Sequence, residues 1–545
     1  MDKIFLKKIE NLFNKKQFNQ IKFEISTLTE SKKKNPFIYN ILGILETVNN
    51  NLKVAKSLFN EALRLNPYYL HSLLNLAKIS YSDKDFYHTI QSLENYNNKF
   101  PNTYEVILNL ANLTFAAGYI NETIYYHKQL IDSKKYNIKD LTAFIFLLNY
   151  SSTYSNETYK KYSDLFNEYL HKEKKNFLIN PNECDRFKVG FLSYDLKDHS
   201  VGYFLKDFII ELKAQNFIPI GLNLSEEKEK NFTTELKKTF SEWHDIGKLN
   251  DEELSNFILE KKMFFLIDLA GYSTNNRLQV FKNKPVPVQI SWLGYCNTTG
   301  LKEIDYLIAD NNVITEEDEK SYNEKIIRLP KIWNTLSKLE KIEANQLPYI
   351  KNKTFTFGSF NNFLKISDKT IEMWDEILFK VKNSRLVLKN SVHMDRNFKN
   401  YILKKFKSGI NQDRLIILDY QINRKDHLKQ YLNIDLSLDT YPYNGVTTTF
   451  ESLWMGVPVV TLKGETFVSR CGYSINKNAG LIDFVAKNKD EYISIATNFA
   501  LNPGINKLID LRKKLRSLIV ASPLFDNTTF AKNFAEKLIQ ISNYS

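Results

Sequence analysis

An α-helical solenoid followed by two doubly wound, Rossmann-like α/β lobes facing a cleft is the fold class that this 545-residue sequence predicts. Three observations predict it. A small-residue pair recurs every 34 residues in the first third, at Leu42-Gly43, Leu76-Ala77 and Leu110-Ala111. From Asp185 onward, short β-branched and aromatic runs alternate with amphipathic helical stretches. Around Leu329–Leu347 that alternation pauses, and then it starts again.

The repeats come first. Tyr39–Pro67 and His71–Pro101 superpose, with Pro67 and Pro101 at the same spacing, and a third copy begins at Val106. Thirty-four residues with two amphipathic helices per unit is the tetratricopeptide pattern. Each unit leaves an apolar face uncovered, so neighbours must stack. A degenerate first repeat over Met1–Lys34 and a last one over Tyr136–Ser151 give an array spanning 1–151, whose concave face suits a protein or peptide acceptor. Asp83-Lys84-Asp85 has the form of a metal-ligating D-x-D, yet it falls between the two helices of a repeat and reads as a turn. Residues 152–184, polar and rich in Lys, Glu and Asn, read as a linker helix.

The first lobe, 185–345, has strands predicted at Phe187–Leu192, Phe217–Leu222, Phe264–Leu269, Val286–Leu293 and Ile304–Ala309. The second, 346–545, has them at Thr354–Ser359, Arg385–Leu388, Arg414–Leu418, Ile434–Leu438 and Val457–Leu462. Helices are predicted between them at Ser200–Leu212, Asp251–Lys261, Asp368–Val381, Asp395–Ser408, Lys425–Tyr431 and Thr448–Met455. Alternation of this kind means parallel sheets with right-handed crossovers.

Composition narrows the function classes. With 43% hydrophobic and 14% aromatic residues the chain can build sizeable cores. Its longest apolar runs, Met263–Ala270 and Leu141–Leu148, fall far short of the roughly 20 residues of a membrane span. The N-terminus alternates apolar and charged residues, unlike a secretory signal. Cys184, Cys296 and Cys471 are too few and scattered for a disulfide framework or a zinc site, which fits a reducing, cytoplasmic setting. The net charge of +13 comes from lysines spread along the whole chain, so it reads as a solvated surface rather than a nucleic-acid footprint.

In a doubly wound sheet, ligands sit beyond the carboxyl ends of the strands, so the loops there carry the candidates. Asp439–Glu451 follows a buried strand and opens a helix. Thr447, Thr448 and Thr449 stand at that helix's N-terminus, where free N–H groups and the positive dipole end attract phosphate. Glu451 can accept hydrogen bonds from ribose hydroxyls. Lys365, after the first strand of the second lobe, can reach a diphosphate and stabilise a leaving group. Arg424 and His427 open a helix on the same edge. In the first lobe His199 precedes a helix and is the candidate for proton transfer or acceptor orientation. Ala270–Arg277 and Gly294–Gly300 complete a small, polar mouth. Phosphate-loop, nucleophile-elbow and H-E-x-x-H signatures are all missing from the sequence.

Several blocks, in order, resemble the catalytic region of protein O-N-acetylglucosaminyltransferases and of the similar plant protein O-fucosyltransferase SPINDLY: VGFLSYDLKDHSVGYF, DLAGYSTNNRL, PVPVQISWLGYCNTTGLKEIDYLIAD, FGSFNNFLKIS, LDTYPYNGVTTTFESLWMGVPVVTLKGETFVSR and SPLF. The resemblance implies a metal-independent, inverting glycosyltransferase of the two-lobed GT-B type that uses a nucleotide-sugar and needs no cofactor. On the matching positions, Lys365, Thr447 and Thr448 would meet the diphosphate and Glu451 the ribose. Arg424 and His427 would flank the nucleoside, Asn362 would line the pocket, and His199 would stand near the acceptor hydroxyl. Val446 and Glu451 depart from the His and Asp of the animal enzymes, and Tyr203 replaces a second His. Uridine-linked N-acetylglucosamine is the first donor expectation and guanosine-linked fucose the second. A repeat scaffold that binds nucleotide-sugar without turnover is the non-enzymatic alternative.

Overall fold

The computed structural model describes residues 3–171, 181–389 and 397–543. It forms two compact units, one made by the residues up to Tyr136 and a short later segment ending at Tyr401, the other by the rest.

The first unit is a run of antiparallel helix pairs. Pro36–Val48 pairs with Leu52–Leu65, Leu70–Asp83 with Phe86–Lys99, and Tyr104–Ala117 with Ile120–Asp132. The repeated small residues sit where the helices cross. Ala77 and Ala111 are fully buried, and a Cβ on Gly43 would lie 2.5 Å from the ring of Phe59. Asp83 closes one helix, Lys84 takes a left-handed φ of 54°, and Asp85 precedes the next helix with its side chain paired to Lys56 at 3.0 Å. The D-x-D is thus a turn locked by an ion pair.

The second unit holds two parallel sheets. The first comprises β1 (Asp185–Ser193), β2 (Ile218–Asn223), β3 (Glu242–Asp245), β4 (Met263–Asp268), β5 (Val288–Ser291), β6 (Tyr306–Asp310) and β7 (Lys325–Leu329), ordered β3-β2-β1-β4-β5-β6-β7. The second comprises β8 (Phe355–Ser359), β9 (Ser384–Lys389), β10 (Leu415–Leu418), β11 (Leu436–Leu438), β12 (Val459–Leu462) and β13 (Val485–Ala486), ordered β10-β9-β8-β11-β12-β13. Central strands such as β4 are buried along their whole length, which is why they read as unbroken apolar runs. The strands that apolar runs do not reveal are β3, β7 and β13. All three lie at sheet edges; polar side chains break the pattern in β3 and β7, and β13 is only two residues long.

Three predicted boundaries differ from the structure. Helix Ile138–Leu148, read as the last repeat, belongs to the second unit: Phe144 packs edge-on against Tyr162, and Asn149 bonds Asn297 at 3.3 Å. Helix Asn156–His171, read as a linker, buries Tyr159 and Phe166, and its Lys160 bonds Asn323 at 2.6 Å. The remainder of the predicted linker at 172–180, and the predicted helix start at Asp395, lie outside the described residues. Finally, the C-terminal helix Asn527–Ser542, assigned to the second lobe by position, packs in the core of the first. Phe530 and Phe534 meet Phe208 and Trp292 there, with ring centroids 5.0–6.1 Å apart.

Candidate active site

A cavity of about 280 Å³ lies beyond the carboxyl ends of the central strands, lined from both lobes. From the first lobe come His199, Phe204, Leu293, Gly294 and Cys296, from the second Asn361, Asn362, Lys365, Tyr443, Thr447 and Thr448, and from the connector Asn334. Of the residues singled out in the sequence, His199, Asn362, Lys365, Thr447 and Thr448 therefore share one cavity. A larger cleft of about 660 Å³ opens beside β2 and β3, among paired lysines and glutamates such as Lys197–Glu227, and it holds none of them.

His199 caps helix Ser200–Ala214, its Nδ1 accepting from the Val201 N–H at 3.4 Å. Asp195 stands 3.7 Å from the same nitrogen. Desolvation pushes the imidazole below its ordinary 6.5, with Lys197 adding to the effect and Asp195 opposing it, so the ring is neutral at pH 7.

Lys365 reaches across the second lobe to the loop after β11. Its ammonium donates to the Asn444 carbonyl at 2.9 Å and lies 4.0 Å over the Tyr443 ring. Desolvation lowers its proton affinity, partly offset by the carboxylate of Asp439. Asp439, the residue after β11, organises the loop. It accepts from the Gly445 N–H at 2.7 Å, the Thr440 N–H at 2.9 Å and the Thr461 hydroxyl at 2.8 Å. Burial lifts its carboxyl to about 6 against these bonds.

Helix Thr447–Trp454 starts with no side-chain cap on its first N–H groups. The three threonines divide their work. Thr449 turns inward to the Gly445 carbonyl at 2.9 Å, and Thr448 donates to Asn361 Oδ1 at 2.8 Å. Thr447 and Thr448 line the cavity, and Thr449 does not.

Buried Glu451 and half-buried Arg424 and His427 form a separate group that does not line that cavity. Glu451 accepts from His427 Nε2 at 2.9 Å and lies 3.5 Å from the Arg424 guanidinium. Lys389, at the end of β9, meets His427 Nδ1, and burial pulls its ammonium down to about 8. Burial raises the Glu451 carboxyl, but His427, Arg424 and Lys389 together outweigh it and keep the group ionised. The Arg424 guanidinium carbon also lies over the Tyr203 ring, 3.2 Å from its centre, tying the two lobes together.

The loop Gly294–Gly300 is held from beneath. Glu324, buried, accepts from the Thr298 hydroxyl at 2.6 Å, the Thr299 N–H at 2.7 Å and the Thr299 hydroxyl at 2.5 Å. Leu293, at the mouth of the loop, takes a left-handed φ of 74°, a strained conformation typical of ligand sites. Cys296 and Cys471 face each other with their sulfurs 3.9 Å apart. Among the described residues no group of three or more His, Cys, Asp or Glu side chains gathers as a metal site. Sequence reasoning singled out neither Asp439, Asn361, Glu324 nor Asn334. Only Asp439 carried a signal there, an acidic residue directly after a buried apolar strand.

The profile of glycosyl transferase family 41 matches residues 161–335 and 338–534, well over half of the sequence. The chain belongs to glycosyl transferase family 41. Among similar proteins, a Hordeum vulgare protein named as a probable UDP-N-acetylglucosamine–peptide N-acetylglucosaminyltransferase, SPINDLY, is 35% identical over 361 residues, which are 65% of this chain and 38% of that one. The Arabidopsis thaliana protein SEC, of the same description, is 27% identical over 369 residues, 66% of this chain and 37% of that one. The chain thus spans well under half the length of these relatives. In fold it is similar to a mutant of the Thermobaculum terrenum O-GlcNAc transferase, with a TM-score of 0.77 at 23% identity, over 95% of this chain and 98% of that one.

Proposed function

We propose that this family 41 chain transfers a sugar, N-acetylglucosamine first, from a uridine diphosphate donor to Ser or Thr hydroxyls of a protein, with inversion and without a metal. The donor class comes from the names of the plant relatives. The observation that carries the reaction is the meeting, in one cavity, of His199 from the first lobe with Lys365 and the N-terminal end of helix Thr447–Trp454 from the second.

The acceptor oxygen attacks the anomeric carbon as the bond from that carbon to the diphosphate breaks, and the bonding pair leaves on the phosphate oxygen. Lys365 and the free N–H groups at Thr447 and Thr448 take up that negative charge, which grows toward the transition state. Neutral His199 takes the proton from the acceptor at Nε2 in the tautomer that carries its hydrogen on Nδ1, toward Asp195, giving up the long 3.4 Å bond from the Val201 N–H. Attack from the face opposite the leaving diphosphate inverts the anomeric centre. The helical repeats are the proposed seat of the acceptor protein.

The test is a thermal-shift panel of UDP-, GDP- and dTDP-sugars, followed by turnover with the stabilising donor and mass spectrometry of co-expressed proteins. UDP-N-acetylglucosamine should stabilise most; stabilisation by GDP-fucose alone transfers the reading to fucose. In Lys365→Ala, kcat should fall about a hundred- to a thousandfold, the scale of one lost transition-state charge contact, at unchanged circular dichroism. Full activity in that variant removes Lys365 from the chemistry.

A further inference from the structure

The connector between the two sheets runs from Pro330 to Leu347 without helix or strand. It is nevertheless rigidly held on either side of one residue. The Trp333 N–H donates to Asp310 Oδ2 at 3.0 Å, and the Trp333 carbonyl accepts from Trp292 Nε1 at 2.9 Å. Just beyond, the Thr335 hydroxyl donates to Asn527 Oδ1 at 2.8 Å and the Leu336 N–H to the Leu524 carbonyl at 3.0 Å. Asn334, between these clamps, is 1% exposed and lines the cavity beside His199, Lys365 and Thr447. Neither its amide oxygen nor its amide nitrogen finds a hydrogen-bond partner among the described residues.

A buried amide left unpaired on both sides is uncommon in a folded protein, and each such case calls for a physical reason. Here the backbone on both sides is fixed, so the side chain is not free to turn away. A ligand group that pairs with it supplies the reason. The chemistry of the amide then selects the ligand group, because Nδ2 only donates and Oδ1 only accepts. A diphosphate, which only accepts, would leave Oδ1 unpaired, and it already has Lys365 and the helix end to meet it. A vicinal pair of sugar hydroxyls, one accepting and one donating, satisfies both atoms. Apolar Val201, Phe204 and Leu293 form the nearby walls, as a sugar ring requires.

We propose that Asn334 is a specificity-determining residue that hydrogen-bonds a vicinal hydroxyl pair on the hexose of the donor. This rests on the reading that the cavity takes a nucleotide-sugar.

The test compares UDP with UDP-N-acetylglucosamine by titration calorimetry on the full chain, in wild type and in Asn334→Leu, which keeps the volume and removes both polar atoms. The variant should bind UDP within about twofold of wild type and the nucleotide-sugar about ten- to a hundredfold more weakly, the scale of hydrogen bonds lost from a buried site. The ligand-free variant should melt no lower than wild type, since no protein partner is lost. Asn334→Asp, of the same shape but without the donor, should show the same preference for UDP over the sugar nucleotide, and it serves as the second variant if the leucine form does not fold. Equal weakening of UDP and UDP-sugar, or none of either, overturns the assignment while leaving the transferase reading intact. A wild type that binds no nucleotide-sugar, GDP-fucose included, sinks both.

Discussion

Lys365 and His199 both titrate away from their ordinary values because the lobes exclude water around them. The proposed transfer needs Lys365 as the ammonium, and burial lowers its proton affinity from the usual 10.5, so activity should be lost on the alkaline side before that pH. His199 must be neutral to accept a proton, and its affinity lies below 6.5, so the acid limb falls below that value. A kcat/KM profile measured across both limbs should show this bell, and a profile flat through either region contradicts the corresponding role. Glu451 gives a second residue-scale prediction. Its buried carboxylate pairs with half-buried His427 and Arg424, with Lys389 behind His427, and Glu451→Gln leaves those three basic groups beside one another without an anion. Breaking such a group costs about 3–5 kcal/mol, read as a lower urea midpoint with an unchanged slope.

At the scale of the element, the loop after β11 works because a neighbouring helix comes very close to it. Helix Phe467–Asn478 passes Gly472 so near β12 that a Cβ there would lie 2.2 Å from Thr461 Oγ1 and 2.6 Å from Asp439 Oδ2. Thr461 and Asp439 are the two groups whose bond fixes the start of the loop. Gly472→Ala should therefore cost about 1–3 kcal/mol of stability, typical of overpacking. It should also raise the donor KM, because Asp439 must move. Steady-state kinetics with varied donor checks this, and a stability loss with unaltered KM means that Asp439 does not set the loop. The element scale is also where sequence legibility varies most. The helix opening at Thr447 and the strand before it are plain, since a buried apolar run followed by Asn-Gly and a threonine cluster has few other solutions. That Thr449 turns inward to Gly445 while its two neighbours line the cavity is invisible to pattern, since all three are the same residue and only packing separates them.

The whole molecule closes its first lobe with its last helix. Phe530 and Phe534 arrive from more than 230 residues further along the chain to complete the core around Phe208 and Trp292. Phe534 is 1% exposed, so Phe534→Ala should cost about 3–5 kcal/mol and lower the melting temperature of the second unit, though the residue is far along the chain from the lobe it stabilises. An unchanged melting temperature shows that the helix is dispensable to that core. The same return explains the misplaced boundary at the C-terminus. Domain limits drawn along the sequence assume that consecutive elements pack together, and this helix does not obey that assumption.

Local periodicity by itself determined the helical repeats, the two α/β series and the loops that carry the site, because a 34-residue period and strand–helix alternation are direct records of which faces are buried. It also placed His199, Lys365, Thr447 and Thr448 in loops or helix starts that follow strands, as the structure has them. Tertiary structure alone decided that these four share a cavity while Glu451 gathers Arg424 and His427 away from it, and that Asn334 enters the same cavity with its amide unpaired. The reason is physical: burial of a face leaves a repeating trace along the chain, whereas the approach of two side chains from distant segments depends on packing geometry and leaves none.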